Sequence, residues 1–364
     1  MTITQALDQQ AWDAFLSRQQ YRPFLQSWTM GEVYRDIGQE PVRIEARENN
    51  ELIAICYAHV VPAKRGRHLS IPYGPIIDSS LSDEQKSEVL CALTHELQKL
   101  AKQFQCTFVR MSPFQSIINY QLSIIHSVPS PLHLLAEHVW YVPLTTPDAW
   151  TSEMRQTTYD SRSEEEILKE MRKTTRNLIR RAEKDGVTIE VSTNPLQDLD
   201  DHFIRLHDET RKRHKFTPYS NAFFRAQVKH FAPRNECTVY LAKYQGDVIG
   251  ASVHMHAFGE TSYHHGASSS DHHKIPSSYL LQWRAIQDAM KRKDHVYNFW
   301  GIAPMAVESH KSQVTSHPFA GVTLFKTGFG GKLLDLQHCL DLPVSKKYWL
   351  TYGFEIFRKW RRGF

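Results

Sequence analysis

The sequence of 364 residues predicts a mixed α/β fold built as two similar domains. Three observations lead to this prediction. Each half of the chain contains the same order of elements, namely three consecutive strands, a helix and a further strand. The length is large for one domain and sufficient for two. Hydrophobic residues make up 41% of the chain, enough to fill a core in each domain.

In the first half, β-forming residues alternate with polar turns, and one long segment has helical periodicity. Residues 82–104 carry apolar side chains at helical spacing, and Ser82 is a suitable N-cap for this helix. The predicted strands of this half cover residues 41–47, 52–61, 68–73 and 107–111.

The second half repeats this order. Its helix is predicted at residues 276–293 and begins with a proline, which the first turn of a helix tolerates. The predicted strands cover residues 237–244, 248–258, 261–267 and 296–300. A meander, a helix and a further strand form the element order of the acetyltransferase-like (GNAT-like) α/β fold. Two such domains in tandem account for most of the length.

The remaining segments extend this two-domain plan. Helical segments are expected before each meander, at residues 5–19, 28–38, 162–184, 197–214 and 220–230. A strand at 332–340 and a helix at 344–362 have no place in the second repeat. We therefore expect this tail to return to the first domain. The predicted domains are 1–150 together with 335–364, and 151–334.

The cysteines and the apolar segments bear on the cellular compartment. The five cysteines are scattered and form no CxxC pair, which indicates a reduced protein without a disulfide framework or a cysteine zinc site. The N-terminus lacks the apolar segment of a signal peptide, and no apolar run is long enough to span a bilayer. We expect a cytoplasmic monomer.

One segment carries the positive charge. Residues 169–184 contain seven basic and two acidic side chains, an excess of five that equals the net charge of +5 of the whole chain. A single helix is predicted at 164–184, and a basic stripe on a helix suits a nucleic-acid backbone. A solvated helix face would show the same pattern. The candidate RNA-binding residues are Lys169, Arg172, Lys173, Arg176, Arg180, Arg181 and Lys184.

Cofactor sites are not indicated. His254 and His256 have a spacing that can bind zinc, but no carboxylate or cysteine stands at ligand spacing nearby, so we predict no metal. Coenzyme A would require a glycine-rich turn that opens a helix. The corresponding stretches, 74–78 and 268–276, lack such a turn, so no cofactor is predicted.

Six segments, in order, resemble the FemABX family of peptidoglycan bridge-forming aminoacyltransferases. The resemblance runs from residue 24 to beyond residue 330, and the tandem acetyltransferase-like fold of that family matches the repeat described above. The segments are FLQSWTMGEV (24–33), KTTRNLIRRAEKDGV (173–187), ETRKRHKF (209–216), YHHGAS (263–268), YNFWGI (297–302) and GVTLFKTGF (321–329).

The resemblance implies a reaction and a catalytic pair. Aminoacyl-tRNA would be the co-substrate, and an amine of a muramyl-peptide precursor would attack its ester without a covalent enzyme intermediate. The charged ammonium group of Lys326 would lie near the oxyanion that forms and stabilise it. Phe325 would position the nucleophile with its carbonyl and ring. We further hypothesise that His265 relays a proton from the attacking amine.

The acceptor pocket departs from the best-described branch of the family. Positions that hold polar ligands of the nucleotide-linked precursor there are altered here, so the precursor could be nucleotide-linked or lipid-linked. The branch with a helical-hairpin arm is excluded, because residues 186–219 are too few for it. The candidate substrate-binding residues are Tyr34, Arg35, Ser112, Tyr219, Phe223 and the retained Tyr263.

Other interpretations stay open. A GNAT-type N-acyltransferase acting on another amine and a non-catalytic RNA-binding protein both fit parts of the pattern. In residues 344–362, aromatic and basic side chains are interleaved. Such a helix can lie at a membrane surface, which predicts peripheral membrane contact, or it can pack its aromatic face on the first domain.

Overall fold

The computed structural model describes residues 1–64, 66–114, 125–151, 159–214, 219–304 and 317–362. The chain divides into two compact units. The first unit comprises Met1–Glu137 and Leu336–Phe364, and the second comprises His138–Asp335.

The strands are β1 Thr2–Gln5, β2 Pro41–Glu48, β3 Glu51–Val61, β4 His68–Pro72, β5 Ile76–Ile77, β6 Phe108–Ser112, β7 Val128–Pro129, β8 His138–Pro143, β9 Thr145–Thr146, β10 Asp160–Ser161, β11 Thr188–Val191, β12 Cys237–Tyr244, β13 Asp247–Ala257, β14 Glu260–Ser268, β15 Val296–Gly301, β16 Lys332–Asp335 and β17 Leu340–Pro343. The helices are α1 Gln9–Ser17, α2 Trp28–Asp36, α3 Asp83–Gln103, α4 Glu164–Glu170, α5 Lys173–Lys184, α6 Pro195–Asp198, α7 Ile204–His214, α8 Asn221–Phe231, α9 Ser277–Lys291, α10 Ala320–Thr327 and α11 Tyr348–Arg362.

The first unit is a sheet with the strand order β1-β2-β3-β4-β6-β17-β7. The meander β2-β3-β4 is antiparallel, and β6 lies parallel to β4 after the crossover through α3. Ser82 caps α3 in a reciprocal capping box with Gln85. The apolar face of α3, which includes Val89, Leu93 and Leu97, packs on the sheet. The spacing of these apolar residues is the helical periodicity from which the sequence predicts this helix.

The FLQ motif has a structural role in this unit. The side chain of Gln26 is fully buried. Its Nε2 donates to the carbonyl oxygens of Pro72 at 2.7 Å and Tyr57 at 3.2 Å, and its Oε1 accepts from Tyr57 N at 2.9 Å. Gln26 thus satisfies backbone groups of β3 and β4, which would otherwise be buried without partners at a cost of about 1–3 kcal/mol each.

The following motif residues hold a buried arginine. Arg43 stacks its guanidinium 4.2 Å above the ring centre of Trp28 and bonds Glu32 at 2.6 Å. A Cβ atom on Gly31 would lie 2.1 Å from Arg43 Nη2, so the close approach of this side chain requires glycine. The WTMGEV sequence therefore builds an internal ion pair of the first unit.

The second unit repeats the plan with the strand order β11-β12-β13-β14-β15-β8-β16. The meander β12-β13-β14 is antiparallel, and β15 is parallel to β14 after the crossover through α9. The core includes Leu281, Ala285 and Ile286 of α9. The prediction of an α/β fold with two GNAT-like domains is confirmed.

Short strands at the unit boundary differ from the sequence prediction. The boundary predicted at residue 150 would leave β8 in the first domain, but β8 pairs with β15 and β16 in the second sheet. The strand predicted at 332–340 is two strands, because β16 pairs with β8 whereas β17 pairs with β6 in the first sheet. The C-terminal segment from Leu336 onward belongs to the first unit.

The helix predicted at 164–184 is interrupted. Helix α4 ends at Glu170, and Met171 has an extended backbone with φ −64° and ψ 145°. Helix α5 begins at Lys173, and the backbone N–H of Arg172 donates to Gly328 O at 2.9 Å. A contact distant in sequence therefore breaks the helix, although the apolar periodicity continues across the break.

In the described ranges, no helix has the length and apolar character needed to cross a bilayer.

Candidate functional site

Lys326 lies on the inner face of α10 in the second unit. Its side chain is 8% exposed, and its Nζ donates to the carbonyl oxygen of Gly301 at 2.6 Å. Burial lowers the pKa of Lys326 to about 7, because the charged form loses its hydration. The lysine of the GVTLFKTGF motif therefore meets the last strand residue of the YNFWGI motif.

The local sequence explains this meeting. Strand β15 has a register shift between Asn298 and Trp300, and Asn298 Oδ1 accepts from Trp300 N at 2.7 Å. Trp300 has a φ of +67°, so the chain turns sharply there. One turn before Lys326, Thr323 Oγ1 accepts from Ala303 N at 2.9 Å. Two hydrogen bonds thus fix α10 against the end of β15.

Phe325 points the other way. Its ring packs against Tyr279 and Phe329, with centroid distances of 4.9 Å and 5.4 Å. Its carbonyl oxygen accepts from Gly328 N at 3.2 Å, at the end of α10. The contacts described here are those of a core residue, and its role in positioning a nucleophile stays a prediction.

The YHHGAS motif contains a β-bulge. Tyr263 pairs with His254 and His265 pairs with Val253, so His264 is the extra residue. The bulge brings Tyr263 and Gly266 to the same side of β14. A Cβ atom on Gly266 would lie 1.7 Å from the Tyr263 hydroxyl oxygen. The glycine of the motif therefore makes room for its tyrosine, whose pKa burial raises to about 12.

Three of the predicted residues form a cluster in the second unit. His265 lies 5.6 Å from Tyr219 and 6.4 Å from Phe223, measured between ring centroids, and Tyr219 stacks on Phe223 at 4.6 Å. His265 Nε2 is 2.8 Å from Gln227 Oε1. Burial lowers the pKa of His265 well below its usual value, so the imidazole is neutral at neutral pH and a weak proton acceptor.

Two residues that the sequence analysis did not select connect this cluster to the lysine. The ring of His264 lies 4.0 Å from that of His265 and 5.0 Å from that of Trp300. Trp300 directly precedes Gly301, the acceptor of the Lys326 hydrogen bond. Their signal in the sequence is position alone: His264 stands between the selected Tyr263 and His265, and Trp300 stands inside the YNFWGI motif.

The basic segment separates into structural and exposed members. Arg176 Nη1 donates to Leu168 O at 3.0 Å and also to Met171 O, so it caps the end of α4. Arg172 Nη2 donates to Leu324 O at 3.1 Å and to Thr327 Oγ1, which attaches the segment to α10. The exposed members are Lys169, Lys173, Arg180, Arg181 and Lys184.

The remaining candidates lie in the first unit. The ring of Tyr34 stacks on His59 with centroids 3.7 Å apart, and Arg35 forms an ion pair with Glu32. Ser112 is buried at the end of β6, in register with Pro72 of β4. The binding roles of these residues stay predictions.

The histidines considered as zinc ligands make hydrogen bonds. His254 Nε2 is 2.8 Å from the Tyr297 hydroxyl, and His256 Nε2 is 2.8 Å from Thr238 Oγ1. Burial lowers the pKa of both histidines to about 3.

Within the described ranges, one group has ligand atoms close enough together to hold a metal ion. It consists of His133, Glu137 and His338 of the first unit, with ligand atoms within 4.8 Å of one another. Burial of Glu137 opposes its ionisation, but hydrogen bonds from both histidines and from Cys339 N outweigh burial and lower its pKa. The bond with Glu137 raises the pKa of His338. An ion-pair cluster accounts for these directions without a metal.

Known proteins resemble the chain in sequence and in fold. Aminoacyltransferase FemA of Staphylococcus aureus (strain MW2) is 26% identical over 93 residues, which are 26% of this chain and only 20% of FemA. The crystal structure of FemX matches 98% of this chain and 100% of its own with a TM-score of 0.76 at 16% identity. The C-terminal domain of a putative lysylphosphatidylglycerol synthetase from Agrobacterium fabrum matches 96% of each chain with a TM-score of 0.54 at 14% identity.

The two structural matches show a shared fold, and the sequence model of the FemAB family matches residues 7–247 and 233–355. These ranges cover nearly the whole chain, including both units and the segment that contains Lys326. The chain therefore belongs to the FemAB family.

Proposed function

We propose that this protein transfers an amino acid from aminoacyl-tRNA to an amine of a peptidoglycan precursor stem peptide. The observation that carries the proposal is the buried Lys326, whose Nζ is fixed 2.6 Å from Gly301 O at the junction of two motifs of the family. An ammonium group has three N–H donors. The bond to Gly301 uses one, so the group can donate to a reacting oxygen while it stays in position.

In the proposed reaction, the amine nitrogen attacks the ester carbonyl carbon of the aminoacyl-tRNA. A C–N bond forms, and the electron pair of the carbonyl moves to its oxygen. The resulting oxyanion accepts a hydrogen bond from Lys326, and this electrostatic contact lowers the barrier. When the intermediate collapses, the C–O bond to the terminal ribose breaks. The proton lost by the amine ends on the ribose hydroxyl, so no cofactor is consumed.

The exposed basic residues support the assignment of the donor. Lys173, Arg180 and Lys184 follow one another along α5 at spacings of seven and four, which puts them on one face of the helix. Cations on a helix face neutralise phosphates of an RNA backbone. Arg172 joins this segment to the lysine helix α10, so tRNA bound there would lie next to the proposed reaction centre. Charged tRNA is a cytoplasmic substrate, so we propose that the protein acts in the cytoplasm.

The cluster of Tyr219, Phe223 and His265 supports an acceptor site of altered character. Its contacts are between rings, and His265 is uncharged at neutral pH because of its lowered pKa. Tyr219, which is 46% exposed and is backed by the buried Phe223 and His265, would accommodate an apolar or aromatic group better than the phosphates of a nucleotide. This composition favours a precursor that is not recognised through its nucleotide.

One experiment tests the donor and the acceptor together. The protein is incubated with a pool of charged tRNAs and with purified muramyl-peptide precursors, and the products are weighed by mass spectrometry. We expect a mass increment of one or more amino acids on the precursor. The matched control is Lys326→Ala, in which the rate of the increment should fall by about 10²–10³-fold while tRNA binding remains.

The same experiment separates the rival functions. Replacement of the charged tRNAs by acyl-CoA should give no product, whereas product from acyl-CoA alone would indicate a GNAT-type acyltransferase. Tight tRNA binding without an increment for any charged tRNA would overturn the proposal and indicate an RNA-binding protein.

A further inference from the structure

Helix α11 of the first unit has an apolar face that points into solvent. The exposed fractions are 53% for Trp349, 78% for Leu350, 47% for Ile356, 53% for Phe357 and 76% for Trp360. At 100° per residue, these five positions fall within an arc of about 120° around the helix. Of the aromatic side chains of residues 344–362, Tyr348 is buried against the first unit, whereas Trp349, Phe357 and Trp360 are exposed.

The opposite face of α11 packs on the unit through the buried ring of Tyr348, which lies 5.2 Å from the ring of Phe108, and through polar groups. The Tyr348 hydroxyl donates to Asp341 Oδ2 at 3.0 Å. Arg110, itself buried, bonds Asp341 at 2.8 Å and Glu355 at 2.7 Å. A surface helix ordinarily buries its apolar stripe and exposes its polar one. Here five large apolar side chains face outward, and the helix is held by ion pairs together with the ring of Tyr348.

Two basic residues, Lys359 and Arg361, lie on either side of the apolar arc at 100° per residue. Residues 346–362 contain six lysines and arginines and the single acid Glu355, which is bound by Arg110. A groove beside the helix is lined by Lys64, Arg358 and Arg361, next to Phe357. An aromatic surface with cations at its border matches the interface of an anionic bilayer, where rings reach the acyl boundary and cations meet phosphates.

We propose that α11 docks this protein on a membrane that contains anionic phospholipids, with the five apolar side chains in the lipid interface. The distribution of charge favours lipid over a second copy of the chain. A twofold contact through this face would bring one basic border against another. The consequence for substrate choice rests on the proposed function: an enzyme held at the bilayer would act on a lipid-linked precursor.

Vesicle sedimentation tests the docking without any substrate. The full chain is mixed with vesicles of phosphatidylcholine alone or of phosphatidylcholine with phosphatidylglycerol. We expect binding to the second kind only, and weaker binding at high salt. Leu350→Asp with Trp360→Asp should lower the bound fraction roughly tenfold or more, and so should Lys346→Glu with Lys347→Glu.

The matched control is Leu7→Asp, because Leu7 is 84% exposed in the same unit but lies outside α11. It should bind vesicles like the wild type. The melting temperature of each variant is compared with that of the wild type to show that it folds. Absence of binding to anionic vesicles overturns the inference, as does equal binding by the Leu350→Asp, Trp360→Asp variant. A dimer in solution that this variant abolishes, without vesicle binding, would show that a second copy covers the face.

A second measurement separates this inference from the proposed function. We expect Leu350→Asp with Trp360→Asp to retain transfer to a soluble nucleotide-linked precursor and to lose transfer to a precursor embedded in vesicles. A protein that binds vesicles but transfers nothing contradicts the proposed function alone. A protein that transfers to both precursors equally well in the wild type and in the variant contradicts the docking alone.

Discussion

Arg172 donates a hydrogen bond from its guanidinium to the carbonyl oxygen of Leu324 at 3.1 Å, and so joins the basic segment to the helix that carries Lys326. A second bond from the same nitrogen goes to Thr327. Its backbone N–H donates to Gly328 O at 2.9 Å. The proposed tRNA-binding surface and the proposed oxyanion donor are therefore fixed to each other by one residue.

The first prediction concerns the charge of Lys326 during catalysis. Lys326→Ala should lower kcat by about 10²–10³-fold, the loss found when one oxyanion donor is removed. Because the pKa of Lys326 is lowered to about 7, the ammonium form declines as pH rises through 7. Activity should therefore have a falling limb near that pH. An arginine stays charged, so any activity kept by Lys326→Arg should lack this limb. A limb that persists unchanged in Lys326→Arg would assign the titration to another group.

The second prediction concerns stability. The folded-state pKa of Lys326, about 7, lies below the unfolded value of about 10.4, so between these pH values the unfolded chain binds more protons. The free energy of unfolding should therefore rise with pH across this window because of Lys326. Lys326→Met removes this contribution. The measured quantity is the difference in melting temperature between the wild type and this variant, from pH 7 to pH 10.

The difference between the wild type and Lys326→Met is measured because other buried groups change the free energy of unfolding with pH in the opposite direction. Burial raises the pKa of Cys56, Cys237 and Cys339, so stability from these thiols falls as pH rises past the value of the unfolded thiol. They are present in both proteins and cancel. A difference that stays constant with pH would show that Lys326 is charged in the folded state throughout.

The third prediction separates the two kinds of basic residue. Lys173→Gln and Lys184→Gln should each weaken tRNA binding. Each should also lower by about one the number of counterions released on binding, which is read from the slope of the affinity against salt concentration. Neither should change the melting temperature. Arg176→Gln should instead lower the melting temperature, because the carbonyl oxygens of Leu168 and Met171 lose their donor. Filter binding at several salt concentrations and thermal unfolding measure the two effects. Unchanged tRNA affinity in both lysine variants would contradict the assignment of this face.

These contacts show which parts of the molecule the sequence could predict. The repeated meander, helix and parallel strand follow from local periodicity, and α3 even keeps its N-cap at Ser82. The break at Met171 does not follow, because the apolar spacing continues through it and the cause is the distant Gly328. The division of residues 332–340 depends on which sheet each short strand pairs with.

The sequence pattern also could not predict the orientation of α11. Periodicity identifies an apolar stripe, but it does not say which side of the helix packs on the protein. The burial of Arg110 with Asp341 and Glu355, at separations of more than 200 residues in sequence, decides that orientation. In the candidate site, the motifs gave Lys326 and His265, whereas Gly301 and Trp300 acquired a role only from the contacts of the folded chain.

The fourth prediction concerns the pair formed by Tyr263 and Gly266. Gly266→Ala should reduce activity and stability, because the added Cβ would occupy the position of the Tyr263 hydroxyl. Tyr263→Ala removes that obstacle. The double variant should therefore cost no more than Tyr263→Ala alone, which makes the two effects strongly non-additive. A double-mutant cycle on melting temperature and on kcat/KM measures the coupling. Additive losses would show that Gly266 is needed for a different reason.

The fifth prediction concerns the cluster of His133, Glu137 and His338 in the first unit. Glu137 Oε1 lies 2.9 Å from His133 Nδ1 and 2.8 Å from His338 Nδ1, and His338 Nε2 lies 2.8 Å from Ser130 O. A carbonyl can only accept, so Nε2 of His338 carries a proton. A hydrogen bond from Nδ1 to the carboxylate then requires the imidazolium form. The raised pKa of His338 agrees with this charge state.

The pH dependence of this cluster has a defined window. Glu137 has a lowered folded-state pKa, so its contribution to stability is present above its unfolded value of about 4.3 and is lost as pH falls through the folded value. His338 has a raised pKa, so its contribution is present below about 6.5 and is lost as pH rises through the folded value. The melting temperature of Glu137→Gln should therefore fall furthest below that of the wild type between these limits.

Added Zn²⁺ should leave the melting temperature of the wild type unchanged, because protonated His338, and not a metal ion, is the partner of the Glu137 carboxylate. A rise in melting temperature with Zn²⁺ that Glu137→Gln abolishes would instead identify the cluster as a metal site, with His338 oriented for the metal by its bond to Ser130.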